Sequence, residues 1–173
     1  MILLLNGAFG VGKTSVARSL VARLPRSILF DPEIIGIPLQ RLARLAGRRI
    51  DDFQDLRLWR RLTVIGLRVT RLLWPNVVVP MAFSNAAYLQ EIRMGLERFE
   101  THVDHFCLVA PIEVIHERLR RRGDDPIRDA WQYRRAEECC RIHAQEDFST
   151  RVVTTARDTD NIADEIVRTL ASR

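Results

Sequence analysis

The segment Gly7–Thr14, GAFGVGKT, has the residue types and spacing of a phosphate-binding loop. It fits the pattern G-x-x-x-x-G-K-[ST] without a mismatch, after the apolar run ILLL and before a helical pattern. Its glycines let successive backbone N–H groups turn toward phosphate oxygens, and the start of the next helix adds partial positive charge. The pattern predicts a nucleotide triphosphate bound by Gly7, Ala8, Phe9, Gly10, Val11, Gly12, Lys13, Thr14 and Ser15.

Lys13 is the only lysine among the 27 basic residues of the chain. A sequence that uses arginine at every other basic position indicates that this site needs a slim point charge rather than a broad planar guanidinium. We predict that Lys13 contacts the β- and γ-phosphates of ATP and acts in catalysis. Thr14 is predicted to bind Mg²⁺ through its hydroxyl oxygen.

Carboxylates near the predicted strand ends limit the class of reaction. Asp31 follows the second strand and is a candidate base for a hydroxyl acceptor, although an Asx turn before Pro32 would also explain it. The third strand ends in VVVPM, without the aspartate that motor ATPases and GTPases use to hold magnesium. Because Lys13 is the only lysine, no guanine-specifying NKxD motif exists, and a GTPase is disfavoured.

Arginines are concentrated in the segment HERLRRRGDD, at the predicted end of a helix before Gly123. Such a cluster beside a glycine fits a lid over about residues 118–128 that neutralises a transferring phosphoryl group. We expect Arg118 and Arg122 to be catalytic, and Arg118 also to contact the nucleotide. A solvated helix end is the simpler alternative, since cations favour helix C-termini.

The stretch between the second and third strands, about residues 32–74, is predicted to carry the acceptor site. Polar and aromatic residues in DDFQDLRLWRR suit a ring-bearing polar ligand, while a capped helix with a core tryptophan explains them equally well. The candidate substrate-binding residues are Asp31, Gln54, Arg57, Trp59 and Met81.

Strand-like and helical patterns alternate along the whole chain. Strands are predicted at ILLL, SILFD, NVVVPM, HVDHFCLVA and RVVTT, and helices lie between them. Pro38–Ala46 is predicted as a short helix, and a later helix extends to about Phe148. Asp55–Trp74 is predicted as a helix whose core face holds, at helical spacing, Leu58, Leu62, Ile65, Val69 and Leu72 or Leu73. This order predicts one α/β domain over residues 1–173: a five-stranded parallel sheet between two helical layers.

Composition restricts partners and location. The net charge of +5 is spread along the chain, and only 7% of residues are aromatic, so nucleic acid is not expected as a partner. No apolar run is long enough for a membrane span, and the short apolar start lacks the basic region of a secretion signal. Three cysteines do not form a disulfide framework, which favours a reducing cytoplasm. The oligomeric state stays open.

The motifs LNGAFGVGKT, FDPE, DDFQ..LWR, VVPM and RLRRRGD, in this order, resemble the tunicamycin-resistance ATP-binding proteins over nearly the whole chain. The resemblance implies a nucleoside-kinase-like P-loop fold, ATP binding through Gly7–Thr14 and resistance to the nucleoside antibiotic tunicamycin. The chain is more distantly similar to chloramphenicol phosphotransferase and shikimate-type kinases, in which an aspartate at the place of Asp31 acts on the acceptor hydroxyl. Some family members associate with membranes through a C-terminal amphipathic extension. Because this chain ends at Arg173, membrane association is not expected.

Two functional hypotheses follow. The first is an ATP- and Mg²⁺-dependent small-molecule kinase that inactivates a tunicamycin-like antibiotic, favoured by Asp31 and the arginine lid. The second is an ATP-dependent protein that binds and sequesters the drug without chemistry, favoured by the missing carboxylate on the third strand. The kinase is the preferred hypothesis.

Overall fold

The fold is a five-stranded parallel sheet in the order β2-β3-β1-β4-β5, with helices on both faces. The computed structural model describes residues 1–145 and 150–172. The described strands are β1 Ile2–Gly7, β2 Ser27–Leu29, β3 Asn76–Met81, β4 Val103–Val109 and β5 Thr150–Val153. The described helices are α1 Lys13–Arg23, α2 Glu33–Leu45, α3 Arg57–Leu73, α4 Ala86–Glu97, α5 Ile112–Arg122, α6 Ala130–Gln145 and α7 Thr159–Ala171, with a 3-10 helix at Phe53–Asp55. The predicted fold class is confirmed.

The central strand β1 divides the core into two layers. Its side chains alternate between faces, so Leu3 and Leu5 pack into one hydrophobic cluster and Ile2 and Leu4 into the other. The first cluster includes residues of α1, α5, α6 and α7, and the second includes residues of α3 and α4. Both faces of β1 are therefore buried, as expected for a parallel sheet covered on each side. The loop after β1 is consequently anchored at the centre of the molecule.

Helix α2 begins earlier than predicted. Pro38 was expected to start a helix, but it lies inside α2, which begins at Glu33. The Asp31 carboxylate accepts a hydrogen bond from the Glu33 backbone N–H at 2.9 Å, and the amide of Gly36 donates to the carbonyl of Pro32 at 3.1 Å. This turn initiates the helix before the proline, which the helical pattern of the later residues does not reveal.

The buried face of α3 also differs from the prediction. Leu58, Ile65 and Val69 are exposed, although their helical spacing predicted a core face. The buried residues of α3 are instead Trp59, Arg60, Thr63 and Leu67. Apolar spacing predicted the helix correctly but the wrong orientation, because polar Thr63 and paired Arg60 occupy the inner face.

Two other helix ends agree with the local sequence signals. Asn85 caps α4, where its Oδ1 accepts from the amide of Ala87 at 2.9 Å. Gly123 ends α5 in the left-handed conformation at φ 94°. The predicted end of α6 near Phe148 lies outside the described residues. In the part of the chain that the structure describes, every helix is too short or too polar to traverse a bilayer.

Candidate active site

A cavity of about 720 Å³ opens at the carboxyl ends of β1 and β3, beside the phosphate-binding loop. Seven of the residues predicted to bind nucleotide line it: Phe9, Gly10, Gly12, Lys13, Thr14, Ser15 and Arg118. Ala8 and Val11 instead point into the hydrophobic core. Gly7 ends β1, where an added Cβ would come within 2.8 Å of the Leu108 carbonyl oxygen. Glycine is therefore required for the turn out of the strand.

The loop exposes backbone N–H groups to this cavity. Gly12 adopts φ 106° immediately before α1, a conformation that favours glycine. In the described part of the chain, the backbone N–H groups of Gly12, Lys13 and Thr14 donate no hydrogen bond to another residue. These donors and the helix start would fit phosphate oxygens, as the sequence predicts.

Lys13 lies folded back over its own loop. Its Nζ donates to the carbonyl oxygen of Ala8 at 2.7 Å and lies 5.4 Å from the centre of the Phe9 ring. Burial lowers the pKa of this amine from its ordinary value of 10.5 to about 8. The ammonium is therefore the predominant form at neutral pH and is close to its titration range.

The two arginines predicted for the lid have different partners. Arg118 donates through Nη1 to the carbonyl of Val11 at 2.9 Å and through Nη2 to that of Thr154 at 2.8 Å. It thus ties the phosphate-binding loop to the end of β5. Arg122 pairs with Asp124 at 2.6 Å and lines the cavity near the end of α5. Both arginines reach the cavity, and only Arg118 is fixed by main-chain contacts.

The predicted acceptor residues are not brought together. Gln54 lines the cavity and donates through Nε2 to the carbonyl of Ala82 at 3.1 Å. Trp59 is buried in the core, where its indole N–H donates to Pro32, and Met81 is buried there as well. Arg57 lies outside the cavity, 4.0 Å from Glu91 in a groove between α3 and α4.

Asp31 is not among the residues that line the cavity, because its carboxylate caps the first turn of α2. Glu33, two residues later, does line it. Burial, followed by the neighbouring carboxylate of Asp31, raises the pKa of Glu33 above its ordinary value, while Lys13 opposes the shift. Sequence reasoning did not select Glu33, although it lies in the same FDPE motif.

Other cavity residues were not selected from the sequence, although one of them, Asp52, lies in the predicted acceptor stretch. Asp52 accepts from the amide of Gln54 at 2.9 Å and pairs with Arg135 at 2.8 Å. Burial raises the pKa of Asp52, against the lowering effect of the Gln54 amide. Trp131 on α6 packs edge-on against Phe9 with ring centres 5.4 Å apart. No periodic signal marks Asp52 and Trp131, because two distant segments supply them.

The described residues contain no group of three or more histidine, cysteine, aspartate or glutamate side chains placed to hold a metal ion. Thr14 is exposed at the start of α1, next to the backbone N–H groups that would bind phosphate oxygens. A magnesium ion here would fit a shell made mainly of phosphate oxygens, the Thr14 hydroxyl and water.

Comparison with known proteins agrees with this geometry. A family model described as an AAA domain matches residues 2–138. The structure of the Deinococcus radiodurans tunicamycin resistance protein superposes with a TM-score of 0.77 at 32% identity, covering 98% of this chain and 94% of that one. The chain belongs to this family of AAA-domain, tunicamycin-resistance proteins. The predicted family resemblance is therefore confirmed.

More distant structures share the fold of the family. A gluconokinase from Sinorhizobium meliloti 1021 superposes with a TM-score of 0.70 at 20% identity, covering 98% of this chain and 91% of that one. The structure of shikimate kinase from Acinetobacter baumannii, in complex with shikimate, superposes with a TM-score of 0.61 at 19% identity. The match covers 99% of this chain and 93% of that one. Comparison with curated protein sequences finds no match. The P-loop kinase-like fold predicted from the sequence is confirmed.

Proposed function

We propose that this chain is an ATP- and Mg²⁺-dependent phosphotransferase that modifies a hydroxyl group of a tunicamycin-like nucleoside antibiotic. The observation that carries this proposal is a second cavity of about 630 Å³ beside the first. Three residues, Asp52, Gln54 and Trp131, line both cavities. A phosphate donor and an acceptor would thus lie next to each other, as phosphoryl transfer requires. The 32% identity to the tunicamycin resistance protein supports the choice of acceptor.

The phosphate-binding loop supplies the donor side of the reaction. The backbone N–H groups of Gly12, Lys13 and Thr14 would hold phosphate oxygens, and the Lys13 ammonium would leave Ala8 to contact the β- and γ-phosphates. Thr14 would bind Mg²⁺, which neutralises charge on the phosphates when bound. Arg118 would hold the loop in place through Val11, while Arg122 would exchange Asp124 for the transferring phosphoryl group.

A carboxylate would take the proton of the acceptor. We propose Glu33 for this role, because it lines the cavity and a pKa above its ordinary value makes it a stronger base than a solvated glutamate. The hydroxyl oxygen forms a bond to the γ-phosphorus, the bond from that phosphorus to the β,γ-bridging oxygen breaks, and ADP leaves with that electron pair. The acceptor proton passes to the carboxylate. Asp31, predicted as the base, would then act through Glu33 by fixing the start of α2.

The segments around the cavity give the proposed site its parts. The stretch of about residues 32–74 contributes Glu33, Asp52 and Gln54 and is proposed as the acceptor insertion. The segment of about residues 118–128 is proposed as the lid. Cytoplasmic location is likewise proposed, supported by three cysteines that are free thiols in the structure.

A non-catalytic role remains the second candidate. Strand β3 ends at Pro80 and Met81, and the following Ala82 lines the cavity where many ATPases place a magnesium-binding carboxylate. A protein without that ligand can bind nucleotide and drug without transferring phosphate. This observation favours ATP-dependent sequestration of the antibiotic.

The mass of the drug distinguishes the two functions. The purified chain is incubated with tunicamycin and Mg-ATP, and the drug is then analysed by mass spectrometry. A gain of one phosphoryl group, dependent on ATP and lost in Lys13→Met, supports the kinase. Tight binding with unchanged drug mass contradicts the kinase and supports sequestration. Arg26→Met, at an exposed turn outside both cavities, is the matched control and should behave as the parent chain.

A further inference from the structure

We propose that the second cavity, which we call the acceptor cavity, selects neutral or cationic polyhydroxylated ring compounds and rejects compounds that carry a carboxylate. This inference rests on the proposed function and states which chemical class of acceptor it uses. Three segments line this cavity: the turn before α3, the loop that leads into α4, and the face of α6 that carries Trp131.

Carboxylates dominate the lining of the acceptor cavity. Among the described residues, one guanidinium, that of Arg135, lines this cavity together with four carboxylates, those of Asp51, Asp52, Asp55 and Glu138, which gives three negative charges in excess. The cavity at the phosphate-binding loop has the opposite balance, with three cationic and two anionic side chains. The site is thus positive where phosphate would bind and negative where the acceptor would bind.

The one guanidinium of the acceptor cavity is already neutralised by the protein. Arg135 pairs through Nη2 with Asp52 at 2.8 Å and through Nη1 with Glu138 at 2.6 Å. The same Nη1 donates to the Ser84 hydroxyl at 2.6 Å, and Nε is buried. An acceptor carboxylate would have to compete with both carboxylates for this guanidinium, and displacement of Asp52, whose side chain is 13% exposed, would leave a largely buried charge unpaired.

Two neighbouring arginines are directed away from the acceptor cavity. Arg60 is buried, donating to the Gln54 carbonyl at 2.6 Å and to Glu91 at 2.7 Å. Arg57 points into the groove between α3 and α4 beside the same Glu91. Neither residue lines the acceptor cavity, so the part of the chain that the structure describes offers no second cation there to an anionic acceptor.

Rings and hydroxyl partners complete the lining. The Trp131 indole is 37% exposed and is held by Phe9, so its free face can stack on a sugar or base ring. Tyr88 also lines the cavity, and the Arg60 guanidinium lies over its ring, 4.1 Å from the ring centre. The Asn85 amide oxygen is used in capping α4, which leaves its N–H groups as donors beside carboxylates that accept from hydroxyls.

The test uses two matched series of probes that differ in charge. The first is glucosamine, methyl glucoside and glucuronate, and the second is 5′-amino-5′-deoxyuridine, uridine and uridine 5′-carboxylate. Binding to the full chain is measured by calorimetry with ADP present and without phosphoryl transfer. We expect the cationic member of at least one series to bind about tenfold more tightly than the anionic member at low salt.

Variants assign this preference to the acceptor cavity. The double variant Asp51→Asn/Asp55→Asn should lower the difference between cation and anion to about threefold. Trp131→Ala should weaken every probe of the series that binds. Glu117→Gln/Glu137→Gln removes two exposed carboxylates that line neither cavity and should leave the difference unchanged.

Equal or tighter binding of the anionic probes overturns the inference, and so does the absence of binding in both series. The same mixtures with Mg-ATP are examined for phosphorylated probes. The expected charge order without any phosphorylated probe, and with unchanged tunicamycin mass, contradicts the proposed kinase while supporting the charge selectivity. Phosphorylated tunicamycin together with a reversed charge order supports the kinase and contradicts the selectivity.

Discussion

At the scale of single residues, Lys13 is notable both as the only lysine of the chain and for its lowered pKa. The only lysine of the chain lies at the phosphate-binding loop, where burial lowers its pKa to about 8. Its ammonium donates to Ala8 within the loop at 2.7 Å. A slim amine can make this short turn, whereas the wider guanidinium would contact the loop backbone first.

Nucleotide affinity should therefore depend on pH through Lys13. Phosphate binds the protonated amine and raises its pKa, so affinity should fall as pH rises above about 8, by at most about tenfold per pH unit. Calorimetric titration with Mg-ADP between pH 7 and 9 measures this dependence. Lys13→Arg should bind more weakly with a flat profile, because its guanidinium stays protonated. A falling profile in that variant would assign the dependence to another group.

The two carboxylates of the FDPE motif should differ in their effect on turnover. Glu33→Gln should lower the phosphoryl-transfer rate by about 10²–10⁴-fold with nucleotide affinity nearly unchanged, because it removes the proposed base. Asp31→Asn keeps an oxygen that can cap α2 and should lower the rate much less. Single-turnover measurements on both variants test this order. A larger loss of rate in Asp31→Asn than in Glu33→Gln would identify Asp31 as the base.

At the scale of elements, the contact between α2 and the 3-10 helix positions the cavity lining. A Cβ added at Gly36 would lie 2.5 Å from ring atoms of Phe53, next to Asp52 and Gln54. Gly36→Ala should therefore cost about 1–3 kcal/mol of unfolding free energy and weaken acceptor binding. Gly123→Ala, where the space is open but φ is 94°, should cost about 1 kcal/mol and leave acceptor binding unchanged. Urea unfolding and calorimetry measure the two effects.

The orientation of α3 can be tested in the same way. Leu67 is fully buried and Leu72 is 80% exposed on the same helix. Leu67→Ala should lower the free energy of unfolding by about 2–5 kcal/mol, whereas Leu72→Ala should change it by less than about 0.5 kcal/mol. Urea unfolding of both variants gives the comparison. Similar losses of unfolding free energy in the two variants would mean that the predicted apolar stripe packs in the core.

At the scale of the whole molecule, a buried histidine in the sheet makes the unfolding free energy depend on pH in the acid range. Burial in β4, followed by Arg93 and His143, lowers the pKa of His105 from 6.5 to about 4. Between these pH values, His105 is therefore protonated in the unfolded chain and neutral in the folded chain. His105 should reduce the unfolding free energy as pH falls from about 6.5 to about 4, by at most about 1.4 kcal/mol per pH unit.

Chemical unfolding of His105→Asn across this range should show a shallower fall in stability than the parent chain. His102→Asn, which changes an exposed histidine of the preceding turn, is the matched control and should follow the parent. An unchanged slope in His105→Asn would assign the acid sensitivity to other groups, such as His143, whose pKa burial also lowers.

Sequence periodicity predicted the five strands, the parallel sheet and most helices, because both faces of the central strands are apolar and local residues mark many of the helix ends. It could not orient α3, since an apolar stripe at helical spacing fits a solvent face as well as a core face. The true inner face includes Thr63 and Arg60, and the latter is buried through its pair with Glu91. Pairing across elements overrode the local pattern.

The sequence by itself determined the phosphate-binding loop, since Gly7–Thr14 is contiguous and its chemistry depends on local backbone geometry. Only the tertiary structure decided the rest of the candidate site. Three separate segments, which carry Glu33, Asp52 and the α6 pair Trp131 and Arg135, meet at the carboxyl edge of the sheet. Asp31, the most prominent carboxylate in the sequence, caps α2 instead. Local spacing defines a loop, whereas a cavity is defined by how distant helices pack around that edge.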